Sequence, residues 1–591
     1  MLSDLQNGCA QLLDADSRST DAPKTTGHDF RNAILCGLAV VAAVAFTLPV
    51  CNSPFDDDWS YSFTVKRLLE TGKITYNGWA SASLIAQAYW GLLWVKVFGF
   101  SFTVLRFSAL PLAAAAISFC YLLGRRVGLS ARFAVFAALL VGLSPIYLPI
   151  ACTFMTDAPG LFFIFCSMYL LSRCMDSAST AAAIGWLVAG VIVGLVGGSS
   201  RQIVWLVPLI IAPYAGWLRR GNLVFLCIAI VGWLVSIAVA YFTMRWFAHQ
   251  PYSMPEIPIR TDLKNAAHQP AHFLLNALAI LLTALWMILP ALWGIFRGWT
   301  PGRSIAAFVL LIGPVMLLII LRPHYAIAPW MISTGNCLHE RGVMGNAELA
   351  GVRPVAMPMI VRIVVAFAVF FVACALSAHL ILRLTRPVHA GRRLVRFFLY
   401  PGAGNPLLPA MVLFAAGYFA LLLPRCASNM VYDRYIVPLM PCLIFPLLLK
   451  SQKQGDRRVP KIAWGLLAIF AIYSIAITQE ITALARARTI AADRLLSAGV
   501  RRTRIDGGFE FNYQTQIETV GYVNDSRLRN PAGAYRPGLP IDYAVQPEYR
   551  LEFGPAIDSA PTHFGSVRYF TYLYPFHRAV YIDRDIGLRG R

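Results

Sequence analysis

Asp56, Asp57 and Asp58 stand together a few residues past an apolar run at 33–50. Capping a helix needs one carboxylate, whose oxygen takes up a backbone N–H left over in the first turn. Three in a row exceed that need and put bases at a membrane surface, where one could take a proton from an incoming hydroxyl. Asp157, in Thr156-Asp157-Ala158-Pro159, opens a later apolar run. It reads either as a helix start with Pro in the first turn or as a carboxylate kept at membrane depth for a partner. Arg201-Gln202 lies in a tight turn after Gly197-Gly198. A guanidinium fork there suits phosphate, and the glycines would let backbone N–H groups approach an anion, although an Arg in that place also snorkels to headgroups. Tyr432-Asp433-Arg434-Tyr435, followed by Pro438 and Pro441, offers another cation among aromatic rings, or a plain interfacial anchor. His268 and His272 have i, i+4 spacing, but Pro270 lies between them and no Glu or Cys motif accompanies them, so a zinc site is weakly supported. The chain has no P-loop, His-Glu-x-x-His or Gly-x-Ser-x-Gly, which leaves ATPase, zincin and serine-hydrolase chemistry without a basis.

The elements that must position these residues are mostly apolar helices. The chain has 591 residues, is 58% hydrophobic, and alternates long apolar runs with Arg-rich or Pro-rich breaks. Runs of ~18 or more apolar residues are long enough to cross a bilayer. The net charge of +22 sits in short loops, which is the pattern of a topology determinant and not of a nucleic-acid groove. Basic clusters at 125–132, 219–220, 297–303, 383–396 and 450–461 fall on one side if spans lie at 33–50, 101–123, 133–150, 161–171, 181–197, 203–217, 223–247, 273–296, 305–321, 360–382, 407–423, 435–449 and 462–478. That gives about thirteen spans, with the N-terminus cytoplasmic and the C-terminus outside.

Residues 59–70 carry Tyr61, Val65, Leu68 and Leu69 at helical spacing and end at Thr71-Gly72, so an amphipathic interfacial helix is expected there. The short apolar stretch at 84–98 is expected as a second interfacial or re-entrant helix. Residues 1–30 read as a disordered cytoplasmic tail, 31–479 as the membrane domain, and 480–591 as a small α/β extracytoplasmic domain. Glu510-Phe511-Asn512-Tyr513, Val567-Arg568-Tyr569-Phe570 and Ala579-Val580-Tyr581-Ile582 read as strands in that last region. Twelve cysteines, mostly within apolar runs and without a C-x-x-C pair, read as small buried hydrophobes.

Taken together, Asp-Asp-x-x-Tyr after the first span, two short helices in that loop, Thr-Asp-Ala-Pro at a later helix start and a late Arg-Tyr-x-x-Pro-x-x-Pro resemble the GT-C superfamily of membrane glycosyltransferases. The likeness is to the bacterial branch related to protein O-mannosyltransferases and lipid A aminoarabinose transferases (glycosyltransferase family 39-like). It covers roughly residues 33 to 450. It implies an inverting transfer of a sugar from a polyprenyl-phosphate donor to a hydroxyl acceptor (lipid, glycan or protein) at the outer face of a bacterial inner membrane. By the same resemblance Asp57 is the catalytic base, Asp58 the second acid and Tyr61 the tyrosine of the first loop. Asp157 matches a later acid, and Tyr435 with Pro438 the late Tyr-x-x-Pro. Arg201, Gln202 and Arg434 are the candidates for the leaving phosphate. Two departures stand out: Ala80-Ser81-Ala82-Ser83 replaces the usual Lys-Pro-Pro, and Arg201-Gln202 a Lys-Gly. A divalent metal is left open. The rival class is a transporter or flippase of a lipid-linked or anionic solute, for which a midplane cavity between two halves is expected instead of acids converging near one face.

Overall fold

Most of the long apolar runs become helices, several of them with an internal proline such as Pro111, Pro213, Pro424 or Pro446. The computed structural model describes residues 27–256, 259–295, 337–339, 341–343, 349–384, 405–427, 431–524, 544–554 and 563–584. Its helices are α1 (Gly27–Phe46), α2 (Asp58–Thr71), α3 (Ile85–Phe98), α4 (Phe102–Val127), α5 (Ala131–Gly142), α6 (Tyr147–Ala151), α7 (Asp157–Asp176), α8 (Thr180–Gly198) and α9 (Leu206–Leu218). They continue with α10 (Leu223–Ala248), α11 (Ile259–His268), α12 (Pro270–Ile288), α13 (Met359–Leu384), α14 (Leu407–Arg425), α15 (Met440–Lys453), α16 (Lys461–Ser497) and α17 (Phe509–Val520). Nine helices among the described residues are long and apolar enough to cross a membrane, and three more apolar segments are shorter: Ala131–Gly142, Gln202–Leu218 and Met359–Ala373. The protein is a multi-pass membrane protein. The expected span at 305–321, the tail at 1–26, the basic cluster at 297–303 and most of that at 383–396 lie outside the described residues.

α1 packs on α4, α4 on α7 and α7 on α8, which builds the core that carries the first loop and the Asp157 helix start. At one end of this stack, Asp29 accepts from Arg125 Nε at 2.7 Å and from the Tyr121 hydroxyl at 2.9 Å, tying the start of α1 to the end of α4.

Two expectations fail for local reasons, and one expected boundary falls inside a helix. The run at 133–150 is not one span. Ser144-Pro145 divides α5 from α6, because Pro cannot continue the ladder and the Ser144 hydroxyl accepts from the Tyr147 amide at 3.2 Å. The boundary at 479/480 falls inside α16, which runs unbroken for 37 residues. At ~1.5 Å per residue that exceeds a ~30 Å hydrocarbon core, so its second half projects beyond the membrane. Glu510-Phe511-Asn512-Tyr513 is the first turn of α17 and not a strand. The Asn512 side chain bridges Asp506 Oδ1 and the Gly507 amide there, at 2.8 and 3.0 Å, and four residues of alternation cannot outweigh such a helix start.

The C-terminal region has a four-stranded sheet ordered β3-β4-β6-β5, from Ile505–Asp506, Tyr549–Glu552, His577–Arg584 and His563–Phe570 respectively. β3 pairs parallel to β4 and the other pairs are antiparallel. The segments expected at 567–570 and 579–582 are strands. Their inward residues Val567, Val580 and Ile582 pack with Leu484, Ala487, Ala491 and Leu495 of α16. A two-residue hairpin, β1 (Leu338–His339) with β2 (Gly342–Val343), sits near the middle of the chain.

Candidate active site

α2 begins at the acid cluster, yet none of the three aspartates caps it. Asp57 occupies the capping position and makes no side-chain cap bond. Asp58 turns inward. Its Oδ1 accepts from the Phe55 amide at 2.7 Å, and its Oδ2 lies 3.9 Å from Arg106 Nε of α4. Arg106 also donates to the carbonyls of Pro49 (3.3 Å), Cys51 (3.0 Å) and Ser53 (2.5 Å), and its guanidinium lies over the Phe55 ring. The pair therefore folds the first loop back onto α4. Burial outweighs Arg106 and pushes the Asp58 carboxyl up to about 7. Asp58 is fully buried and pairs with Arg106, a different arginine from the one that the two preceding aspartates meet.

Asp56 and Asp57 face Arg434. Arg434 Nη1 donates to Asp56 Oδ2 at 2.9 Å and Nη2 to Asp57 Oδ2 at 3.2 Å, with Nε 3.7 Å from Asp157 Oδ1. Trp79, from the segment after α2, donates its indole N–H to the other oxygen of Asp57 at 2.7 Å. Burial, with the neighbouring Asp57 charge, raises the Asp56 carboxyl well above the usual carboxylate range. Asp56 also adopts φ +49, a left-handed conformation uncommon for a non-glycine residue. Its amide donates to Glu510 Oε1 at 3.2 Å.

Asp157 is held between two guanidinium groups, Arg201 Nη1 at 2.8 Å and Arg434 Nε at 3.7 Å. Arg201 donates as well to Thr156 Oγ1 at 2.9 Å. The Tyr435 ring lies 5.3 Å from the Arg201 guanidinium carbon, and the Tyr432 ring 4.9 Å from that of Arg434. Asp433 points away from this cluster and accepts from the Cys337 and Leu338 amides at 3.0 and 2.7 Å, fixing the β1–β2 hairpin. Asp157, Arg201 and Arg434 line a narrow cleft whose other walls are apolar, among them Ile150, Leu161, Ile164 and Val437. One side is cationic and the rest greasy.

Gln202 stands apart from the cations, donating to the Ser81 carbonyl at 2.9 Å. With Ser83 Oγ and the Ile85 amide both donating to the Ser199 carbonyl at 2.8 Å, it stitches the 199–202 turn to the segment before α3. Gly197 and Gly198 do not cradle an anion. A Cβ on Gly198 would fall 1.9 Å from the Trp205 ring and one on Gly197 2.3 Å from Phe163, so the pair permits close helix packing. Tyr61 is buried on α2 within electrostatic range of Asp57, Arg434, Asp157 and Arg201, and burial raises its phenol well above the usual value. Residues 58–65 are buried all round, whereas an interfacial helix was expected to bury one stripe; Leu69 from that stripe is exposed.

The covering comes from the C-terminal domain. Trp59, Trp79, Phe509 and Tyr513 pack ring to ring, with centroids 4.6 to 6.0 Å apart. Glu510 accepts from Arg488 Nη1 at 2.5 Å, and Arg488 Nη2 reaches Ser53 Oγ and the Pro54 carbonyl at 3.1 and 3.3 Å. Gly78 (φ +86) lets the first loop touch that domain's backbone, where a Cβ would sit 1.9 Å from the Asn524 carbonyl oxygen. Sequence reasoning missed Arg106, Trp79, Arg488 and Glu510, because none stands in a motif and their partners are remote in the chain. Among the described residues no three His, Cys, Asp or Glu side chains could together hold a metal ion, and the carboxylates at the cleft are engaged by Arg201 and Arg434.

The chain is similar to several solved structures, at low identity. A chain of the Saccharomyces cerevisiae protein O-mannosyltransferase Pmt1-Pmt2 complex bound to the sugar donor matches at 15% identity and TM-score 0.32, over 39% of this chain and 34% of that one. ArnT from Cupriavidus metallidurans bound to undecaprenyl phosphate matches at 13% and 0.37, over 79% and 72%. The Archaeoglobus fulgidus oligosaccharyltransferase in complex with Zn and sulfate matches at 15% and 0.38, over 77% and 55%. This chain thus spans 34% of the length of the yeast chain and 55% of the archaeal one. No curated protein matches. A family model described as dolichyl-phosphate-mannose-protein mannosyltransferase matches residues 91–249, the stretch that carries Asp157, Arg201 and Gln202.

Proposed function

We propose that this protein is a GT-C membrane glycosyltransferase that moves a sugar from a polyprenyl-phosphate donor to a hydroxyl acceptor, with inversion at the anomeric carbon. The observation that carries this reading is the reach of Arg434, whose one guanidinium contacts Asp56, Asp57 and Asp157. A base and a pair of guanidinium groups are thereby neighbours, and the apolar side chains beside them suit an isoprenoid tail. The family match over residues 91–249 supports the same class of donor.

Asp57 takes the acceptor proton as the alcohol oxygen attacks the anomeric carbon. The bond from that carbon to the phosphate oxygen breaks on the far side, and the electron pair leaves with the polyprenyl phosphate. Charge growing on the leaving group is met by Arg201 and Arg434, whose donors are already fixed by Asp157, so little reorganisation is required. Trp79 holds the Asp57 carboxylate in one orientation. Asp58, Tyr61 and Gln202 support this arrangement by fixing the first loop and the 199–202 turn, and Tyr435 stacks on Arg201. In this reading the transfer takes place at the outer face of a bacterial inner membrane, an orientation that the clustering of Arg and Lys in the short loops of one side supports.

The test uses the purified protein in proteoliposomes with a panel of polyprenyl-phosphate sugars and lipid or peptide acceptors. Arg201→Ala is expected to weaken use of the donor by roughly 10²-fold, as for loss of one charge-stabilising donor, with acceptor dependence little changed. Movement of an intact lipid-linked sugar across the bilayer, with no glycosidic bond broken, would overturn the enzyme in favour of a transporter.

A further inference from the structure

The hairpin connecting β5 to β6 ends in Phe570-Thr571-Tyr572-Leu573-Tyr574-Pro575-Phe576. Tyr574 is 81% exposed, Phe576 52% and Phe570 50%, an unusual load of aromatic surface for the tip of a soluble domain. The tip is held firmly. Thr571 donates its amide to the Phe576 carbonyl at 2.9 Å, and the Gln479 side chain both donates to the Phe570 carbonyl (3.1 Å) and accepts from the Tyr572 amide (2.9 Å). Buried Glu480 accepts from Arg578 Nη1 at 2.9 Å, and Arg578 in turn donates to the carbonyls of Tyr574 and Pro575 at 3.2 and 3.3 Å. Arg353 completes this triad from the other side of Glu480.

Two membrane helices fix the depth of the tip. Gln479 and Glu480 are where α16 leaves its apolar section, immediately after the stretch at 462–478. The Tyr572 hydroxyl donates to the Phe46 carbonyl at 3.2 Å, at the last residue of α1. There the exposed surface continues through Phe46, Leu48 and Val50, which turn outward at the end of a spanning helix. Arg486 donates to the Leu48 carbonyl at 2.6 Å at the same level. Aromatic rings with a wet edge, beside an Arg at the end of a span, match what the headgroup boundary of a bilayer favours.

We infer that the β5–β6 tip is a lipid-facing foot, with Tyr574 and Phe576 inserted into the headgroup boundary of the leaflet at the end of α1. The partner is the bilayer surface, and this assignment does not depend on the transfer chemistry. By seating in lipid at a fixed depth, the foot clamps the C-terminal domain over the first loop.

The test places a nitroxide at Tyr574→Cys in a Cys9→Ala, Cys227→Ala, Cys374→Ala background, in lipid nanodiscs. Glu518→Cys, on the exposed face of α17, is the reference in the same domain. Because Tyr574 makes few contacts, the substitution leaves folding intact. Collision with oxygen several-fold above collision with a water-soluble nickel chelate is expected at 574 and the reverse at 518. Nickel-dominated collision at both sites overturns the proposal. An immobilised label reached by neither reagent also overturns it, and assigns the patch to a protein contact.

Discussion

Arg434 binds three carboxylates from two distant parts of the chain, and that geometry demands a guanidinium. An ammonium is a point charge and cannot span them. Arg434→Lys is therefore expected to cost roughly 10²-fold in transfer rate, comparable to losing one fixed transition-state donor, while insertion persists; a reconstituted transfer assay reads it. Asp58 gives a pH signature. Its carboxyl ionises at about 7 in the folded protein against an ordinary value of 3.8, so between these limits the folded state holds a proton that the unfolded state has lost. Folding stability then falls as pH rises through that window. Thermal unfolding of Asp58→Asn against the parent should show the parent losing ground as pH rises toward about 7 and levelling off above it. At this scale the sequence revealed the acids and arginines, because their types and positions at helix ends were visible. It did not reveal that Asp58 faces Arg106 or that Asp57 meets Trp79, since adjacent identical residues carry no sign of which way each turns.

The first loop is shaped by elements far from it in the chain. Glu510 of α17 and Arg488 of α16 reach across to Asp56, Ser53 and Pro54. Glu510→Ala leaves the Arg488 charge buried without its main partner, at a cost of about 3–5 kcal/mol, which a denaturation series in detergent would measure. Gly78→Ala introduces a Cβ into the Asn524 backbone at a positive-φ position; the C-terminal domain is expected to undock and become readily cleaved by protease at 498–508. Most helices were legible from apolar run length, and the start of α2 from the run of acids. The break at Ser144-Pro145 and the helical start of α17 were not, because each depends on a local hydrogen bond that composition does not encode. The covering of residues 58–65 of α2 on all sides was likewise invisible, because a stripe at helical spacing says nothing of what lands on the other faces.

At the scale of the whole molecule, the membrane helices bring the cations and the C-terminal domain braces the base. The long α16 connects the two, since it lies in the membrane at one end and in the second hydrophobic core at the other. Multi-pass character could be read from the alternation of apolar runs and basic breaks, whereas the union of the two regions through α16 could not, because the helix runs straight through the point where composition changes. The most direct measurement is single-turnover sugar transfer by Asp57→Asn in nanodiscs preloaded with a polyprenyl-phosphate sugar, alongside donor binding to the same preparation. Loss of ~10²–10⁴-fold in the transfer step with donor binding unchanged is what a positioned base requires. Transfer at the parent rate would contradict it.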